Sequence, residues 1–188
     1  MSRTDTLLKC EECLEPADAF AVVGDETRLA ILEALWRLEA PARFSEVRAE
    51  VGTRDSAQFN YHLGKLTDRF VEEHDDGYAL TREGARVGGA VLSGGYTKGI
   101  DATPVQMDAT CLHCDTPMEA TFDETRIDIT CPGCGEDFAH VQVPPGALYD
   151  CTPEEAVDVA HRWGLRQHSI AELGFCSRCD GRMERWVI

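Results

Sequence analysis

An α+β chain in two parts is the fold this 188-residue sequence predicts. Its first half repeats apolar residues at helical spacing and then alternates around an Asp-Asp-Gly turn, while its second half gathers cysteines in C-x2-C pairs beside strand-like segments. Between the halves, SGGYTKGIDATP at 93–104 is rich in glycine and small polar residues without periodicity. The boundary is therefore placed after residue 98, giving domains 1–98 and 99–188.

From Ala17 to Leu38, apolar Phe20, Val23, Ile31, Leu35 and Leu38 recur at helical spacings, and Gly24-Asp25 divides the stretch into two helices. Ser45 is placed to cap a short helix through Val51, closed by Gly52. Asp55 or Ser56 starts a longer helix over 55–69. Its Phe59, Leu63 and Leu66 sit at i, i+4 and i+7 and face inward. The other face shows Arg54, Ser56, Gln58, Tyr61 and Lys65. FVEEHDDGYALT then alternates around Asp75-Asp76-Gly77, a hairpin signal, and a hairpin straight after a two-helix unit is the wing of a winged helix. Thr81 caps a last helix, REGARVGGAVL, in which Gly84, Gly88 and Gly89 allow another helix to approach; a dimer contact and a loosely packed connector are both open there.

Charge narrows the setting. The chain carries 34 Asp and Glu against 18 Lys and Arg, net -16, and its only lysines are Lys9, Lys65 and Lys98. Dense carboxylate with scarce lysine suits a salt-rich cytoplasm, as in the proteomes of extreme halophiles, because concentrated salt screens the self-repulsion of such a surface. Residues 1–98 hold 12 Lys and Arg against 18 Asp and Glu, net -6; residues 99–188 hold 6 against 16, net -10. The first part is the less hostile to DNA. No apolar run of membrane-spanning length occurs and the start MSRTDTLLKCEEC lacks the order of a secretion signal, so a cytoplasmic protein without a membrane partner is expected.

GDETRLAILEAL, RFSEVRAEVG, FNYHLGKL and the glycine-turned wing together resemble the arsenic-repressor-like winged helix-turn-helix transcriptional regulators, of a halophilic archaeal type, over roughly residues 17–92. The resemblance implies a homodimer that binds double-stranded DNA, with the helix over 55–69 in the major groove and the wing on the backbone. Gln58 and Asn60 would then meet base edges, Arg54 or Lys65 phosphates, and Ser56 and Tyr61 lie on the same face. Tyr61 either packs on the wing or stacks against sugar, and His62 is read as a packing or capping residue. Many relatives sense metals through cysteines in the helix before the reader. FSEVRAEVG has none, so metal sensing at that site is not expected.

Seven of nine cysteines follow residue 110. Cys111, Cys114, Cys131 and Cys134 form C-x2-C-x16-C-x2-C, the spacing of a four-thiolate zinc ribbon, with TRIDIT as a strand leading into the second pair. Zinc suits four soft ligands held tetrahedrally, and a reducing cytoplasm disfavours disulfides. CLHCDTPME at 111 and CSRCDGRME at 176 share Cys, Cys, Asp, Met and Glu at equal offsets, so Cys176 and Cys179 join the candidate ligands. Either they replace a pair in the first site or they build a second, for which Cys10, Cys13, Cys151, His161 and His168 are possible donors. One or two structural Zn2+ per chain are expected. Thr152-Pro153-Glu154-Glu155 reads as a capping box opening a helix over 153–163, with Ala156, Val159, Ala160 and Trp163 as core. His113 and His140 read as bystanders near the metal.

No phosphate loop, serine elbow or H-x-E beside a cysteine pair occurs, and four cysteines leave zinc no open position, which argues against an enzyme. The sequence reading is thus an N-terminal winged helix-turn-helix followed by a small zinc-ribbon-containing domain, acting as a transcriptional regulator. Its rivals are an adaptor docking on the transcription machinery and a regulator whose cysteine pairs release zinc on oxidation.

Overall fold

A computed structural model describes residues 15–38 and 41–184. The chain is mixed α+β, helices first and small sheets after, in two compact units that meet in sequence between Val91 and Leu92.

In the first unit, α1 (Pro16–Val23) starts on a proline and stops at Gly24, and α2 (Glu26–Arg37) is capped by Asp25, whose carboxylate accepts the Arg28 N–H at 3.0 Å. The cap of α3 (Phe44–Val51) is not Ser45. Arg43 holds that position, its N–H donating to the Glu46 carboxylate at 2.7 Å, because glutamate three residues on reaches the orphan donor. Gly52 closes α3 at φ 74°. Asp55 caps α4 (Ser56–Leu66) by accepting from the Ala57 and Gln58 N–H groups at 2.8 and 3.1 Å. This helix ends before residue 69, where it was expected to stop: Asp68 turns to φ 73° and donates to the Val71 carbonyl, doubling the chain back into the hairpin.

Strands β1 (Val71–His74) and β2 (Gly77–Leu80) pair antiparallel from Val71↔Leu80 to His74↔Gly77, leaving Asp75 and Asp76 as the connection. Ala42, just before α3, bridges Tyr78 through two backbone bonds of 2.9 and 2.8 Å, and a Cβ on Gly77 would stand 2.4 Å from the Ala42 carbonyl oxygen. The hairpin is thereby tied to the start of α3. Ile31, Leu32, Leu35, Val47, Phe59, Leu63, Leu66 and Val71 fill the core, with Phe44 edge-on to Phe59 at 5.0 Å. Each such side chain contributes about 1.5–3 kcal/mol on burial. Phe20, expected in this core, is 75% exposed, since the inner face of the short α1 is taken by Val23. Thr81 accepts the Gly84 N–H at the start of α5 (Arg82–Leu92). The glycines of α5 meet their own unit: a Cβ on Gly84 would lie 1.9 Å from the Phe70 carbonyl oxygen, while Gly88 and Gly89 face the Trp36 indole of α2 at 3.5 Å.

In the second unit, β3 (Val105–Thr110), β4 (Pro117–Asp123), β5 (Arg126–Thr130) and β6 (Asp137–Gln142) form an antiparallel sheet in chain order. A short helical turn, Pro145–Leu148, leads to α6, and the residue 93–104 run belongs to this unit: the Gly146 N–H donates to the Ser93 carbonyl and the Ile100 N–H to that of Glu124. The capping box at Thr152 is present, with the Thr152 N–H donating to Glu155 at 2.8 Å. However, α6 runs from Pro153 to Glu172, not to 163. Gly164 does not break it, since a glycine inside a helix costs only about 1 kcal/mol and keeps its backbone hydrogen bonds; Gly174, at φ 82°, follows its end. Ala120, Ile127, Val143, Ala156 and Ala160 make a small buried core, with Val159 and Trp163 packed against it. Among the described residues, no helix is long and apolar enough to cross a membrane.

Candidate functional site

The β3–β4 and β5–β6 turns lie at the same end of the sheet, and each carries a C-x2-C pair. The four sulfurs of Cys111, Cys114, Cys131 and Cys134 lie within 4.8 Å of one another, with Cys111 to Cys134 at 3.6 Å and Cys114 to Cys131 at 3.4 Å. A tetrahedron of sulfurs around zinc has edges of about 3.8 Å, given Zn–S bonds near 2.3 Å. The cluster is positioned to bind one metal ion. Cys111 and Cys131 are buried and Cys114 and Cys134 exposed, so the site is anchored on its inner side and open to solvent on its outer side.

Crowded thiols cannot all ionise without a cation between them. Thr116, through its hydroxyl and its backbone N–H, and then Cys131 stabilise the Cys114 thiolate and bring it down to about 6. The Glu136 N–H pulls Cys134 down too, but Cys131, burial, and then Cys111 and Cys114 push it up to about 12. One thiolate forms readily and holds a neighbour protonated, the charge pattern a dication removes. The Thr116 hydroxyl, 3.3 Å from Cys114 Sγ, is a contributor that spacing did not flag. Its only signal was its place two residues after the cysteine.

No histidine ring joins this cluster, although the His113 backbone N–H donates to Cys111 Sγ at 3.3 Å. His113 packs edge-on to Phe138 at 6.3 Å, and His140 Nδ1 lies 2.7 Å from Asp128 Oδ1. Asp128 also accepts from Arg126 Nε at 2.8 Å, and Arg126 and His140 line a cleft of about 470 Å³ together with Gln167 and Arg178. Alternation along β5 gave no sign of this charged trio. Cys151 packs against the small core, His161 is exposed, and His168 reaches Glu172 at 3.2 Å on α6. Cys176 and Cys179 form a third turn separate from the four-sulfur cluster; Cys10 and Cys13 lie outside the described residues.

On the first unit, Ser56, Gln58, Asn60, Tyr61 and Lys65 are all exposed on α4, and Arg54 is exposed in the turn before it rather than on the helix. The Lys65 ammonium stands 5.5 Å over the Tyr61 ring. His62 is half-buried, its Nδ1 3.2 Å from Asp25 Oδ1 and its ring edge-on to Tyr61. The wing shows Glu72, Glu73, Asp75 and Asp76 to solvent and has no lysine or arginine between 71 and 80.

Fold and site together define a mixed α+β chain whose second unit carries four clustered cysteines positioned to bind a metal ion. Residues 16–91 match a family described as a domain of unknown function (DUF7347), and residues 108–188 match another, a domain of unknown function (DUF7351). No curated protein and no solved structure matches the chain.

Proposed function

We propose that the protein is a sequence-specific double-stranded DNA-binding transcriptional regulator: a winged helix-turn-helix joined to a zinc ribbon whose metal is structural. The observation that carries this reading is the split character of α4. Phe59, Leu63 and Leu66 are buried, while Ser56, Gln58, Asn60, Tyr61 and Lys65 stay exposed along the other side of a helix that follows α3 and precedes a hairpin. A polar, weakly charged helix face suits major-groove readout, with Gln58 and Asn60 on base edges and Arg54 on phosphate. Homodimerisation is part of this reading.

Zinc at Cys111, Cys114, Cys131 and Cys134 would be fully coordinated by thiolate, with no position left for a substrate. It would supply cohesion to a unit whose buried core, among the described residues, is the small cluster Ala120, Ile127, Val143, Ala156 and Ala160 with partly buried side chains around it.

Mapping bound sites across the genome, followed by binding to the recovered duplexes, tests the reading. Gln58→Ala and Asn60→Ala should each lose about 1–3 kcal/mol of discrimination at one base pair, whereas Arg54→Ala should weaken all duplexes alike. Absence of duplex binding at every salt concentration would instead make the chain an adaptor.

A further inference from the structure

The turn that holds Cys176 and Cys179 repeats the construction of the two that build the four-sulfur cluster. In each, the residue ahead of the first cysteine pairs with the residue that opens the returning strand: Thr110↔Pro117, Thr130↔Asp137 and Phe175↔Arg182. The first cysteine's N–H donates at 2.8 Å to the carbonyl of Thr116, Glu136 or Gly181. Its carbonyl accepts from Asp115, Gly135 or Asp180 at 2.8 to 2.9 Å. Those last three residues are left-handed, at φ 58°, 73° and 57°. Two of them are aspartates, which take this conformation at some cost in strain. The His113 N–H also donates to Cys111 Sγ at 3.3 Å, and the Arg178 N–H meets the Cys176 sulfur in the same way.

A plain hairpin needs none of this. The third turn is held by the Phe175↔Arg182 bridge, by the Met183 N–H donating to the Gly174 carbonyl at 2.8 Å and by Arg178 Nη2 donating to Gln142 Oε1 at 3.0 Å, and no residue from Leu173 to Glu184 is buried. Leu173, Phe175 and Met183 beside it are 76%, 46% and 40% exposed. Strained backbone, N–H groups aimed at sulfur and uncovered apolar side chains make sense in a turn that is completed from outside. Within the described part of this unit no other cysteine pair is left, since four thiols are clustered and Cys151 packs on the core. A two-fold contact between copies brings the missing pair without any new residue, because such an interface presents the same surface twice.

We propose that Cys176 and Cys179 of two copies together bind a further zinc ion through four thiolates, joining the C-terminal units across a two-fold axis and covering Leu173, Phe175 and Met183. Native mass spectrometry of protein purified under reducing conditions tests this, because it counts ions per assembly. A dimer carrying three zinc ions is expected, one in each four-cysteine cluster and one shared. The double variant Cys176→Ser with Cys179→Ser should hold one zinc per chain, and that retained ion shows the unit has folded. A wild-type dimer with two zinc ions, or an unchanged count in the double variant, would overturn the shared centre. Four zinc ions per dimer would place the missing thiolates within each chain and overturn the sharing as well. Loss of the ion held by Cys111, Cys114, Cys131 and Cys134 would instead be read from Cys111→Ser, which separates failure of that site from failure of this one.

Discussion

Cys131 is 1% exposed and lies 3.4 Å from Cys114, so a serine there removes a soft ligand from the inner wall of the cluster and leaves three thiols around a cation. Cys131→Ser is expected to lose the metal and melt the second unit while the helices of the first unit remain; well under one zinc in freshly prepared wild-type protein would refute the ribbon itself. The pH dependence follows from the same crowding. Cys114 is already a thiolate above about 6, but Cys134, pushed up to about 12, still carries its proton at neutral pH and must release it to bind. Zinc affinity should therefore rise with pH, at least tenfold per unit between about 6.5 and 7.5 for one displaced proton. Competition against a chelator of known pH dependence checks this, and a flat profile would show that no proton is displaced. The four-cysteine cluster was readable from spacing because two residues between cysteines is a local constraint, whereas the place of Cys176 and Cys179 was not. Thr116 and the Asp128, Arg126 and His140 trio were not, because what a polar side chain touches across a sheet depends on register.

Helix termini show the same division at the next scale. Asp55 and Thr152 cap α4 and α6 because their oxygens reach N–H groups within the same turn, a short-range event that sequence states directly. Helix ends are harder. Gly164 looks like a stop, yet α6 continues through it because an interior glycine costs only about 1 kcal/mol, and α4 halts early because the hairpin draws the chain back at Asp68. The glycines of α5 separate two roles that sequence merges. Gly84→Ala would drive a Cβ to 1.9 Å from the Phe70 carbonyl oxygen, so overpacking of about 1–3 kcal/mol should lower the melting temperature of the first unit by several degrees. Gly89→Ala meets only the Trp36 ring at 3.5 Å and should be neutral or stabilising, since alanine favours helix by about 1 kcal/mol. Equal melting temperatures for the two variants would show that the Phe70 contact does not constrain α5.

For the whole molecule, a net charge of -16 sets the terms on which DNA can be approached. Around α4, Arg54, Lys65 and Arg69 stand against Asp55 and Asp68, and the wing exposes four carboxylates and no lysine or arginine, so little counterion release is available. An ordinary regulator loses affinity with a slope near -0.9 per phosphate neutralised. Here repulsion must be screened first, and at about 1 M salt the screening length falls to about 3 Å. Specific affinity should stay flat or rise as KCl goes from about 0.2 to 2 M, with dimer mass followed independently. A log-log slope of several negative units would mean that phosphate neutralisation dominates and that the acidic surface lies away from the duplex. Sequence by itself determined the order of helices and hairpin in the first unit, the strand leading into the second cysteine pair, the inward stripe of α4 and the four clustered cysteines, because periodicity and ligand spacing are properties of neighbouring residues. Only the tertiary structure decided that Phe20 stays outside the core, that the run from Ser93 joins the second unit, and that the third cysteine pair stands apart from the other four. Each of these turns on which distant surface fills a given space, and local propensity carries no information about that.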